Sequence, residues 1–231
     1  MKLAFAKAAL AATAIAVAFP AAAQVTSIAI AEPSIAVAGS QALQAAYTQI
    51  GTANQAARTQ LEQVQQQRAT LLRQFDTDGN GELSEAEQTA AQANTAVLQQ
   101  IQGLDQQIQQ IQQPITMQRI YAIEQILMQY NASLQQVISQ KNLQLILTPS
   151  AVIYAVDAAD VTQDITTALN AKVPTVNTTV PANWQPQRAA VQMYQEVQEV
   201  LVAAQQQAAA QQQAGGAAAP AAPAQQPVQG R

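Results

Sequence analysis

Apolar residues recur at spacings of 4, 3, 4, 3 and 4 along one stretch of this chain: Val97, Ile101, Leu104, Ile108, Ile111 and Ile115. That is a heptad seam, the stripe a helix offers to a partner helix. A second seam follows at spacings of 3, 4, 3, 4 and 3 through Ile120, Ile123, Leu127, Tyr130, Leu134 and Val137, offset in phase from the first. One continuous helix carrying both would face two different partners. The first seam suits the limb that precedes it, a Gln- and Ala-rich run from Gln41 with Leu61, Val64, Leu71, Leu72 and Phe75 spaced along it and Arg68 interrupting the stripe. The second suits the body of the protein or a neighbouring chain. Between them Pro114 removes a backbone donor, which predicts a kink or a fresh helix start.

Short apolar segments bracket the helical stretch. Val25 to Ala38 alternates and ends in small residues, predicting a strand and a turn, while Leu143 to Thr148 and Ala151 to Val156 predict a hairpin across Pro149-Ser150. Asp160 is placed to cap a helix running to about Ala171 and ended by Pro174. A chain that leaves a sheet as helix and returns to it builds an arm, and a limb of about 36 residues rises roughly 54 Å. The fold class is therefore α+β and mostly helical. A long antiparallel helical hairpin, 40–142, projects like a tentacle from a small β-containing body formed by 24–39 and 143–173. A Thr/Val/Pro linker, 174–190, holds the only tryptophan, Trp184; a helix over 191–213 carries Val191, Tyr194, Val197 and Leu201 on one side. The Ala/Pro/Gln tail at 214–231 has a composition that predicts disorder.

Ahead of the body, Lys2 and Lys7 accompany an apolar run from Ala8 to Phe19 and the small residues Ala21, Ala22 and Ala23. These are the parts of a secretory signal peptide over 1–23, with cleavage expected after Ala23. Pro20 closes the apolar run short of the ~20 residues a membrane span needs, so the protein is expected outside the cytoplasm with no stable membrane insertion. Cleavage would remove two of ten basic residues and none of fourteen acidic ones, leaving a chain more acidic than the whole, whose net charge is −4. Such a balance gives nucleic acid no electrostatic reason to bind. Neither cysteine nor histidine occurs, which removes the disulfide framework, the commonest general base and the usual transition-metal ligand together. No catalytic residue is assigned and no enzyme is expected: Asp160 and Asp164 share a helical face but read as a cap and a solvated surface. Aromatic residues are 4% of the chain and much of the apolar count is alanine, so the core is small and oligomerisation is expected to enlarge it.

Between the two limbs stands D-T-D-G-N-G-E-L-S-E-A-E, Asp76 to Glu87. It matches the calcium loop of an EF-hand at each diagnostic position. Asp76, Asp78 and Asn80 stand at positions 1, 3 and 5 and offer side-chain oxygens; Gly81 at position 6 permits the sharp turn. Glu82 at position 7 would supply its backbone oxygen, Ser84 at position 9 would act through a water, and Glu87 at position 12 supplies a bidentate carboxylate. A polar turn joining two helices also draws Asp, Asn and Gly. That simpler account does not explain five carboxylates in twelve residues of a chain holding fourteen. Calcium is the expected cofactor.

The order of elements resembles the Skp/OmpH family of periplasmic chaperones from about Val25 to Val173. The residues that carry the resemblance are the strand I-A-I-A-E-P-S-I-A-V, the long helical hairpin, N-L-Q-L-I-L-T-P-S-A-V-I-Y-A and D-V-T-Q-D-I-T-T-A-L-N, behind a signal peptide. The resemblance implies a periplasmic homotrimer whose body is assembled from strands of three chains. Three arms would then enclose unfolded outer-membrane proteins, held without ATP, and no catalytic residues carry over. Well-known members have cationic arms, whereas these arms are mostly Gln and Ala and the chain is acidic; neither the calcium loop nor the tail defines the family. The alternative reading is a calcium-dependent extracytoplasmic structural, adhesion or spacer protein whose arm tips make the contacts.

Overall fold

The computed structural model describes residues 27–216; the signal peptide expected at 1–23 and all but the start of the tail expected at 214–231 lie outside them. The arm leaves the body as α2 (Gln41–Ala53) and α3 (Gln55–Arg73), turns through the Asp76–Glu87 loop into α4 (Glu85–Ala93), and returns as α5 (Thr95–Lys141). Ser40 starts the outward limb: its hydroxyl donates to the Val37 carbonyl at 2.7 Å and accepts from Leu43 N. Asn54 separates α2 from α3 and ties the junction to the return limb, its Nδ2 donating to Gln118 Oε1 at 2.7 Å.

The two seams of α5 face different partners. Along the first, α5 packs on α3 with Ile101 and Val64 buried and the other seam residues half-buried. A two-helix arm has no third layer to close over its seam. Arg68, the break in the outgoing stripe, reaches across to Asp105 with Nε 2.6 Å from Oδ1; both side chains are well exposed, so the pair contributes little. Along the second seam, Ile123 and Val137 enter the hydrophobic core beside Val37, Leu43, Ile165, Leu169 and Val197, and Leu127, Tyr130 and Leu134 pack against it. The feet of the arm are thus part of the body core. Pro114 does not restart the helix, because α5 runs through it without interruption. Pro114 is exposed, so the carbonyl its ring leaves unbonded can be hydrated.

The body departs from the expected strand pattern in two places. Only Ile28–Ile30 forms a strand, β1; Pro33–Ala38 is a helix, α1, with proline at its first position, where a missing N–H costs nothing. Ser34, Ala36, Val37 and Ala38 are buried while Ile35 is 49% exposed, so the helix is covered on most sides. The expected hairpin across Pro149-Ser150 does not form either. Leu145–Leu147 is β2, and it pairs parallel with β1 in the register Ile28 with Leu145, Ala29 with Ile146 and Ile30 with Leu147. Pro149–Ala151 is a single 3₁₀ turn, and Val152 to Val156 continues past it unpaired. The next bridge to β1 comes from Asp160, opposite Ile30.

Two further helices close the core. In α6 (Thr162–Lys172) Val161 holds the cap position and no side chain caps it; Asp160, expected as the cap, stands one residue earlier, its Oδ1 accepting from the Thr162 amide at 2.8 Å. Thr162 Oγ1 in turn accepts from the Glu32 amide, 130 residues earlier in the chain. The linker is docked by Trp184, whose Nε1 donates to Glu124 Oε1 at 3.3 Å and whose ring meets Tyr121 edge-on at 5.1 Å. It leads into α7 (Arg188–Gly216), which begins and ends a few residues beyond the expected 191–213 and lies on α1 and α5 with Ala190 and Val197 buried. Among the described residues no helix is long and apolar enough to cross a membrane.

Candidate functional site: the arm tip and the sheet edge

Two surfaces of the molecule concentrate unusual chemistry. At the arm tip, Gly79 and Gly81 take positive φ values of 72° and 85°, a region costly for side-chain-bearing residues. These turns fold the loop so that carboxylate oxygens of Asp76, Asp78 and Glu87 come within 4.8 Å of one another. Asp76 accepts from the Asn80 and Gly81 amides at 3.1 and 2.9 Å. Asn80 donates its Nδ2 to Asp78 Oδ2 at 2.7 Å, and its own Oδ1 accepts from the Glu82 amide. Ser84 caps α4, forming a reciprocal capping box with Glu87. Of the six residues marked by their spacing, three carboxylates converge, while Asn80, Glu82 and Ser84 are engaged in holding the turn.

Glu87 is the hinge of the loop. Its Oε1 accepts from Thr77 N and Oγ1, both at 2.6 Å, and its Oε2 accepts from Ser84 N and Oγ, both at 2.9 Å. The hydroxyl of Thr77 first, then the backbone of Ser84 and Thr77, holds the carboxyl well below its ordinary range, at about 2. It is ionised at any neutral pH. Thr77 was not among the residues singled out by spacing; the S-x-x-E pattern of Ser84 to Glu87 did carry the capping box in plain sight. The donor set fits calcium in kind, being oxygen only and rich in carboxylate. Asp76, Asp78 and Glu87 would hold the ion. Both oxygens of Glu87 already accept two hydrogen bonds each, so coordination has to compete for lone pairs that the backbone now uses.

The second surface lies at the sheet. Ile28 and Leu145 are 47% and 44% exposed, and the segment that follows β2 exposes Ile153, Tyr154 and Val156 still more. Two strands of three residues are too small a sheet to stand alone, and apolar side chains gathered on a strand edge mark a contact surface.

A long helical hairpin standing on a small parallel sheet, with an apolar rim at its foot, makes this an arm-bearing α+β protein. Residues 27–169 match the family described as "Outer membrane protein (OmpH-like)", and the chain belongs to that family. A solved structure described as a "putative outer membrane chaperone (OmpH-like)" from Caulobacter crescentus CB15 is similar at 19% identity and a TM-score of 0.41, covering 70% of this chain and 90% of that one. No curated protein matches the chain at a significant level.

Proposed function

We propose that this chain is an ATP-independent holdase of the periplasm that keeps unfolded outer-membrane proteins from aggregating. Membership of the OmpH-like family over 27–169 is the observation that carries the reading. The apolar rim around Ile28, Leu145, Ile153 and Tyr154 supports assembly into a homotrimer through the sheet edges, with three arms around a common space. The arms are glutamine-rich and carry few charges, so clients are held by many weak hydrophobic and amide contacts rather than by electrostatic capture. Calcium at Asp76, Asp78 and Glu87 would stiffen the tip; a lone extracytoplasmic site of this kind binds at roughly 10⁻⁴ to 10⁻³ M.

Light scattering after dilution of a urea-unfolded outer-membrane barrel protein, with calcium and with chelator, tests both parts. Suppression in both conditions establishes a holdase whose tip loop is a local brace. Suppression with calcium alone makes the tip part of the holding mechanism. Absence of suppression in either discards the chaperone reading and leaves the calcium-dependent spacer as the better account.

A further inference from the structure

Where the arm meets the body, a cavity of about 320 Å³ opens between α2, α3, α5 and α7. Arg58 from α3 and Arg119 from α5 both line it, and its apolar wall includes Ile50, Leu61 and Ile115. Neither arginine makes an ion pair among the described residues, whose salt bridges are Arg68 with Asp105 and Lys141 with Asp164. Glu62 borders the adjoining groove beside Arg58 but does not pair with it. The Arg119 guanidinium lies 5.3 Å from the centre of the Tyr47 ring, and its Nε is buried with no hydrogen-bond partner. Tyr47 is not the missing counter-charge, because burial raises its pKa and keeps the phenol neutral.

A buried donor without an acceptor is costly, and a half-buried cation without a counter-ion more so. Two arginines line this one cavity, and a guanidinium fork suits the planar, two-oxygen geometry of a carboxylate. The volume stands at the lower end of ligand pockets, roughly 300–1,000 Å³, so it admits a ring or a short alkyl chain rather than a lipid. We propose that this cavity binds a carboxylate carried on a small apolar group, the anion meeting Arg58 and Arg119 and the apolar part lying against Ile50, Leu61 and Ile115. Two sources present that chemistry: a free short-chain acid, or the C-terminus of a peptide ending in an apolar residue.

Calorimetric titration of the purified protein separates them. The probes are phenylbutyrate against phenylbutyramide, and the tripeptide Ala-Ala-Leu with a free against an amidated C-terminus. At least one acid is expected to bind, with its neutral amide ~10-fold weaker or worse, the scale of a lost charge-assisted hydrogen-bond pair. Arg58→Gln, at an exposed position, and Arg119→Lys, which keeps the charge but loses the fork, are each expected to weaken the acid roughly tenfold. Phenylbutyrate alone binding assigns the site to free acids, and the peptide acid alone assigns it to chain ends; either supports the proposal. It is overturned if neither acid binds, if acid and amide bind alike, or if Arg58→Gln keeps wild-type affinity. The last two comparisons hold even should Arg119→Lys fail to fold.

Discussion

Replacing Ile123 with alanine removes three carbons from a side chain with 0% exposure, packed between α5 and the body. Transfer of those carbons to water is worth about 2.4 kcal/mol at ~0.8 per carbon. Partial collapse leaving ~50 Å³ unfilled adds about 1.2 kcal/mol at ~24 cal/mol per Å³. The expected loss is therefore between about 3 and 4 kcal/mol, a large share of a marginal stability. Ile108 makes the matched control. It lies on the first seam, in the arm, where solvent already reaches it, so no closed cavity forms and Ile108→Ala is expected to cost about 1 kcal/mol. Urea unfolding followed by far-UV circular dichroism, at one fixed protein concentration because assembly contributes to stability, gives both values. Equal costs at the two sites would refute the reasoning, since they would mean that the arm seam is as enclosed as the core. A cost below about 1 kcal/mol for Ile123→Ala would refute the placement of the core itself.

Opposite signs are expected at two glycines. Gly81 has room for a Cβ but a φ of 85°, so Gly81→Ala should loosen the tip by about 1–2 kcal/mol, read as faster amide exchange across 76–87. Gly103 lies inside α5 with open space around it, so Gly103→Ala should stabilise the arm by about 1 kcal/mol, read from the urea midpoint. Acid should act at the tip through Glu87. Its folded carboxyl titrates near 2 against an ordinary 4.5, so the stabilisation is complete above the ordinary value and is lost as the pH falls from there toward 2. Protection of the Thr77 and Ser84 amides, measured against the intrinsic exchange rate at each pH, should fall over that window; unchanged protection would show that the Glu87 bonds do not hold the loop.

The arm was legible because its signal is local. Heptad spacing from Val97 to Ile115 and from Ile120 to Val137 states both the helix and its change of partner, and the tip loop is spelled out residue by residue from Asp76 to Glu87. Legibility failed where tertiary context decides. The stretch from Pro33 to Ala38 alternates like a strand, yet it folds as a helix because Pro33 suits a helix start and α6 and α7 cover the helical face. The strand-like Ala151 to Val156 has no strand partner among the described residues, because β1 takes β2 on one side and Asp160 at its end. Arg68 read as a flaw in a seam and proved to be half of a cross-limb pair. Trp184, unassignable on its own, found its partner in Glu124, sixty residues earlier. The two arginines of the junction cavity left no local pattern, since Arg58 and Arg119 come to line one cavity only across the folded hairpin.

The parallel pairing of β1 with β2 sets an order of events. The contacts that close the body join residues far apart in the chain, such as the Glu32 amide and Thr162 Oγ1, which are 130 residues apart. A coil of that length brings its ends together slowly, whereas helices that zip along a heptad seam form from near neighbours. Once the two limbs have paired, their feet are delivered side by side and the long intervening stretch no longer opposes closure. The sheet is then the last piece to appear, and its apolar rim is absent while the hairpin is unmade. Any assembly that uses this rim would admit only subunits whose arms are already complete, a form of quality control that needs no additional component.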